Sequence, residues 1–141
     1  MLHLDANVFM SAVLGKRVRR LIEQYGNATT FVMLEPMLRE ADVLLPRVAS
    51  AKNVDPTAYA TTYQAMVDVV EMLPPERYLV SEAEARKRMN RRDPDDWSVL
   101  AAALALECPI WTEDRDFFGV GVPTWATDLV ELYLKQEAGL N

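Results

Sequence analysis

Apolar positions along this chain change period several times, and the changes mark out its elements. A short apolar run at residues 2–4 is closed at once by Asp5, which predicts a buried strand with a carboxylate at its carboxyl end. Leu14, Val18, Leu21, Ile22 and Tyr25 then recur at helical spacing until Gly26 and Asn27. Residues 30–34 are rich in β-branched and aromatic types and predict a second strand. Pro36 suits a first helical turn, and Met37, Leu38, Ala41, Leu44, Leu45 and Val48 give that helix its apolar face, which Pro46 should kink or shorten. Asp55 and Pro56 open another helix, with a stripe of Tyr59, Tyr63, Met66, Val67 and Val70 that ends before Pro74 and Pro75.

In the second half, residues 78–80 read as a third strand, and Ser81 with Glu84 forms a capping box for a basic helix. Asp93 and Pro94 begin a helix whose apolar run covers residues 97–106, and Pro109 stops it. Residues 110–112 form a strand running into Glu113, Asp114 and Asp116, and residues 122–124 form a last short one. Thr127 should cap a terminal helix carrying Leu129, Val130, Leu132, Tyr133 and Leu134. Strands alternating with helices predict a three-layer α/β/α sandwich around a mainly parallel sheet, with right-handed crossovers. Ligands in such sheets sit at the carboxyl ends of strands, where Asp5 and Asp114 are expected.

Composition narrows this picture. At 141 residues, half of them hydrophobic, the chain fits one domain able to bury a core. Asp5 interrupts the first apolar residues and a basic run follows at residues 16–20, the reverse of a secretory leader. No apolar run approaches the roughly 20 residues that span a bilayer, so a cytoplasmic protein is expected. Cys108 and His3 are the only residues of their kinds, which excludes an internal disulfide and a structural zinc set. Any metal here must be held by oxygen. Cys108 and His3 themselves read as buried core residues, and Trp97, Trp111 and Trp125 as packing residues, with base stacking by Trp97 left open.

The net charge of -6 argues against coating nucleic acid by bulk electrostatics. Its distribution is uneven, however. Basic residues cluster at Lys16, Arg17, Arg19 and Arg20, and again at Arg86, Lys87, Arg88, Arg91 and Arg92. Such patches on an acidic protein can steer a polyanion or can simply be solvated helix faces. The second cluster runs directly into Asp93, Asp95 and Asp96, the densest acidic stretch. Taken alone, that trio is explained by helix capping and the helix dipole.

Asp5 and Asp114 have no such structural use. Two unpaired carboxylates about 4 Å apart repel by roughly 4 kcal/mol at an effective dielectric near 20, and a divalent cation reverses the sign. Mg²⁺ or Mn²⁺ suits a few aspartates facing a wet crevice, and such an ion can generate hydroxide and polarise a phosphoryl oxygen. The helix after the second strand offers Glu35, Glu40 and Asp42 as a further acid. Glu35 fits the first turn beside Pro36, whereas Glu40, between Met37 and Leu44, can point at the sheet's end; spacing leaves the choice open.

LDANVF at residues 4–9, Glu40 in LREADVLL, DDWSVLAAALAL at 95–106 and WTEDRDF at 111–117 together resemble the four acidic motifs of the PIN domain family, over residues 4 to about 134. Within that family, VapC-type toxins of toxin–antitoxin pairs are the commonest bacterial members of this size. The resemblance implies a Mg²⁺- or Mn²⁺-dependent ribonuclease, usually dimeric, with a small antitoxin protein as partner where it is a toxin; in-line attack by hydroxide would leave a 5′-phosphate and a 3′-hydroxyl. Carried over, Asp5, Glu40, Asp96 and Asp114 are the catalytic acids. Asp5, Asp96 and Asp114 would hold the metal with Asp116 as adjunct, and Asn7 and Thr112 support them; apart from the resemblance, the basic residues Arg86, Lys87, Arg88, Arg91 and Arg92 are expected to bind flanking RNA phosphates. Asp95 is an additional acid that departs from the usual toxin pattern, and the aromatic tail is closer to a less characterised PIN subgroup.

Three other readings compete. One is a stand-alone nuclease for RNA processing or decay. A non-catalytic interaction module would use Met33, Met37, Met66, Met72, Tyr59 and Tyr63 as an apolar surface. A phosphatase of the haloacid dehalogenase type would need an aspartate where this chain has Asn7, and a lysine that is absent near Asp114.

Overall fold

The computed structural model describes residues 1–140. Its elements run β1 (Leu2–Leu4), α1 (Ala6–Leu14), α2 (Arg17–Tyr25), β2 (Phe31–Leu34), α3 (Glu35–Ala51), α4 (Pro56–Val69) and β3 (Glu71–Leu73). They continue with α5 (Glu82–Met89), α6 (Trp97–Leu106), β4 (Ile110–Trp111), β5 (Thr124–Trp125) and α7 (Val130–Glu137). All four strand pairings are parallel, in the order β3-β2-β1-β4-β5. The expected three-layer α/β/α architecture is the one observed.

Chain direction explains the layers. From β1 the chain first moves outward through β2 to β3, then returns past β1 to β4. Right-handed crossovers therefore put α1 to α4 on one face and α5 with α6 on the other. Packing agrees: α1 contacts α2, α3 and α4, whereas α6 contacts α5, β1 and β4, and α7 rests on α2. The central strands are covered on both sides, with Leu2, Leu4, Phe31, Val32, Ile110 and Trp111 essentially inaccessible. Each such side chain contributes on the order of 1.5–3 kcal/mol by leaving water. The reversal of strand order falls between β1 and β4, so a crevice opens there at the carboxyl edge.

Several local expectations are corrected. The first helical stretch begins at Ala6 and breaks at Gly15 and Lys16 into α1 and α2. α3 continues through Pro46 to Ala51; Pro46 lies on the exposed face, where water can serve the carbonyl it leaves unpaired. The third strand is 71–73, not 78–80, because Leu34↔Leu73 and its neighbours pair with β2, while Leu79 and Val80 are exposed in tight 3₁₀ turns. Ser81 makes no cap, since its backbone is not extended and the Glu84 carboxylate is taken by Arg88. The last strand starts at Thr124 because Gly119 and Gly121, both at positive φ, keep the preceding loop turning. Thr127 does not cap α7; its hydroxyl accepts from Trp111 Nε1 and the helix begins at Val130. Met33, Met37 and Met66 are core residues, and Met72, Tyr59 and Tyr63 pack against that core.

Candidate active site

Asp5 ends β1 with extended backbone angles and caps α1, so one residue closes the strand and opens the helix. Its Oδ1 accepts from the Ala6 N–H at 2.8 Å, and its Oδ2 accepts from Thr112 Oγ1 at 2.7 Å and Asn7 Nδ2 at 3.0 Å. Thr112, fully buried beyond β4, in turn accepts from the Asp114 N–H at 2.9 Å. Asn7 Oδ1 accepts from the Glu113 N–H at 3.2 Å. Asn7 and Thr112 thereby lock the ends of β1 and β4 together around a nearly buried carboxylate. Burial pushes the Asp5 carboxyl above its ordinary range, against the pull of the Thr112 and Ala6 hydrogen bonds.

Two tight turns bring in the next acids. Asp114 caps the turn Arg115–Phe117 by accepting from the Asp116 N–H at 2.9 Å. Asp93 caps Pro94–Asp96 by accepting from the Asp95 N–H at 3.1 Å, and that turn delivers Asp96 to the start of α6. Glu40 reaches in from α3. Asp5, Asn7, Glu40, Asp93, Asp96 and Asp114, with Ala6, Met10 and Leu44, line one cavity of about 170 Å³. Asp95 and Asp116 do not line it. Asp93, which reads from sequence as a cap alone, does; its Oδ1 is engaged in the cap, and its carboxylate also acts on Asp96, whose carboxyl it raises.

The charges in this cavity repel. Burial, then Asp93, Asp5 and Asp114, push the Asp96 carboxyl up to about 8. Burial, then Asp5, Asp93 and Asp114, also raise Glu40. None of the five acids lining the cavity forms a salt bridge among the described residues. An all-oxygen set with no internal counter-charge fits a hard divalent cation. Among the described residues no three His, Cys, Asp or Glu side chains stand close enough together to hold a metal ion as they are placed.

The basic segment is divided in use. Arg88 donates to the Glu84 carboxylate at 2.8 Å and to Val120 O at 3.0 Å, and Arg92 donates to Asp116 O at 3.0 Å and Phe118 O at 2.7 Å. Both hold the loop that follows Asp114. Arg86 pairs with Glu82 and lies 4.2 Å over the Trp97 ring, whose neighbour is Tyr78. Lys87 and Arg91 remain exposed, without an ion pair among the described residues. His3 is fully buried and pushed down to about 4 by that burial, Cys108 is buried and pushed up to about 11, and neither lines this cavity. Among the described residues no helix is long and apolar enough to cross a membrane.

The fold is shared with solved structures of low sequence identity. PAE2754 from Pyrobaculum aerophilum superposes with a TM-score of 0.66 at 17% identity, covering 98% of this chain and 89% of that one. VapBC2 from Rickettsia felis, bound to a DNA fragment from their promoter, gives 0.61 at 14% identity, covering 89% of this chain and 98% of that one. FitAcB from Neisseria gonorrhoeae gives 0.58 at 16%, covering 90% and 98%. No curated protein matches the sequence. The PIN domain family model matches residues 4–135, from the strand that ends at Asp5 into the last helix. The chain belongs to the PIN domain family.

Proposed function

We propose that this protein is a divalent-metal-dependent ribonuclease that cleaves RNA phosphodiester bonds, and that it is the VapC-like toxin of a toxin–antitoxin pair, acting as a homodimer in the cytoplasm. One observation carries the nuclease reading: five carboxylates from four separate segments line a crevice at the switch point of the sheet, with no salt bridge among the described residues. The likeness in fold to VapBC2 and FitAcB supports the toxin assignment.

Asp5, Asp96 and Asp114 would hold Mg²⁺ or Mn²⁺, which supplies positive charge at the scissile phosphate and acidifies water there. The chain's own residues then have defined tasks. Asp5 is held by three donors, so its position is set before substrate arrives. Thr112 and Asn7 keep it so by bridging β1 and the segment after β4. Glu40, on the exposed side of the cavity, is placed to orient an attacking water and accept its proton. Cleavage then leaves a 5′-phosphate and a 3′-hydroxyl. The phosphatase reading gains nothing, because Asn7 is spent on Asp5 and Thr112.

The test is incubation of RNA with the parent and with Asp5→Asn and Asp96→Asn proteins in Mn²⁺ or Mg²⁺. Loss of cleavage by about a hundredfold or more in both variants is expected. Equal rates in all three proteins would refute the assignment.

A further inference from the structure

Beside the acidic cavity lies a second pocket of about 370 Å³, whose lining includes Ser11, Lys16, Arg17, Lys52, Glu113 and Asp128. The two are neighbours along α1: Asn7 and Met10 line the first, and Ser11, one helical turn or about 6 Å beyond Asn7, lines the second. They also adjoin across the segment after β4, where Asp114 faces one and Glu113 the other. We propose that single-stranded RNA leaving the acidic cavity follows α1 into this pocket, where Lys16, Arg17 and Lys52 bind its phosphates. This assignment rests on the ribonuclease reading.

The cations here are available, as Lys87 and Arg91 of the other basic run also are, but Lys16, Arg17 and Lys52 line a pocket that adjoins the acidic cavity. Lys16 and Lys52 are exposed and make no ion pair or side-chain hydrogen bond among the described residues. Arg17 pairs with Asp128 at 2.8 Å, but the two side chains are 65% and 82% exposed, and so solvated a pair exchanges readily for a phosphate. Glu113 stays in the lining, but its carboxylate is engaged, accepting from the Thr127 N–H at 2.7 Å. No side chain caps α2, which begins at Arg17, so its first N–H groups add to the positive end of the pocket. By contrast Arg88 and Arg92 are spent on carbonyls of the loop at 116–120, and Arg86 on Glu82 and Trp97. The densest basic run in the sequence therefore mostly holds the protein together, and the sparser one faces the substrate.

Fluorescence anisotropy of a labelled single-stranded RNA, with Ca²⁺ replacing Mg²⁺, compares the parent with the double variants Lys16→Ala/Lys52→Ala and Lys87→Ala/Arg91→Ala. The first should bind about fivefold or more weakly, with a salt slope reduced by about 1.4 for two lost phosphate contacts. The second should stay within about twofold of the parent. Equal binding by parent and Lys16→Ala/Lys52→Ala, or a larger loss in Lys87→Ala/Arg91→Ala, overturns the proposed path and leaves the nuclease reading standing. A parent protein that neither binds nor cuts RNA overturns both.

Discussion

Asp96 shows how much a single carboxylate is shaped by the acids around it. Its carboxyl lies at about 8, through burial first and then Asp93, Asp5 and Asp114, against an ordinary value of 3.8. Below about pH 4 the folded and unfolded states both keep the proton, and the group contributes nothing. Between about pH 4 and 8 the unfolded chain ionises while the folded one does not, so rising pH removes stability until the folded group titrates too. Asp5 and Glu40 shift the same way. Because Asp96 is half open to water, this amounts to about 1 kcal/mol, or roughly 4 °C. Melting in chelator should thus find Asp96→Asn more stable than the parent by that amount at pH 8 and equal to it near pH 4, and a difference independent of pH would contradict the account. Asp5 was legible in the sequence because it ends a buried strand at the sheet's carboxyl edge, although in the structure it also caps α1. Asp93 was not: capping accounts for it fully, and only the folded cavity reveals its second face.

The loop from Asp116 to Gly121 and the helix α5 stabilise one another. Arg88 reaches Val120 O across 32 residues of chain, and Arg92 reaches Asp116 O and Phe118 O across 24 and 26. Gly121 makes the approach feasible, with φ of +91° and a notional Cβ only 2.7 Å from Arg88 Nη1. The guanidinium cannot withdraw without releasing Glu84 or Val120. Gly121→Ala should therefore cost about 1–3 kcal/mol, read as a lower urea midpoint at unchanged slope. An unmoved midpoint would mean that the loop is not clamped. The hold of Arg88 and Arg92 on this loop is not readable in the sequence, because backbone carbonyls leave no trace in side-chain pattern, whereas charge density is conspicuous. Strand β3 escaped for a related reason, because only Leu73 of its three residues is buried and an edge strand needs little apolar signal.

At the scale of the whole molecule, alternating strands and helices made the parallel sheet legible, while the reversal of strand order between β1 and β4, which creates the crevice, is written only in tertiary pairing. That reversal gathers five acids of a chain already at -6 into one cavity, so a divalent cation should bind the folded state and not the unfolded one. At about a hundredfold excess over its dissociation constant the gain is roughly 2.7 kcal/mol, a melting rise on the order of 10 °C for a domain of this size. Simple screening of negative charge would also raise the melting temperature, but it would do so equally for monovalent salt of matched ionic strength and for every variant. The cavity makes a sharper demand. Asp95→Asn and Asp116→Asn, which remove acids outside the lining, should keep most of the Mn²⁺-dependent rise, and Asp5→Asn, Asp96→Asn and Asp114→Asn should lose most of it. Asp93→Asn should fall between, since asparagine can still cap the turn while its cavity-facing charge is gone. A rise shared equally by all six variants would assign the effect to screening and remove the basis for a metal centre.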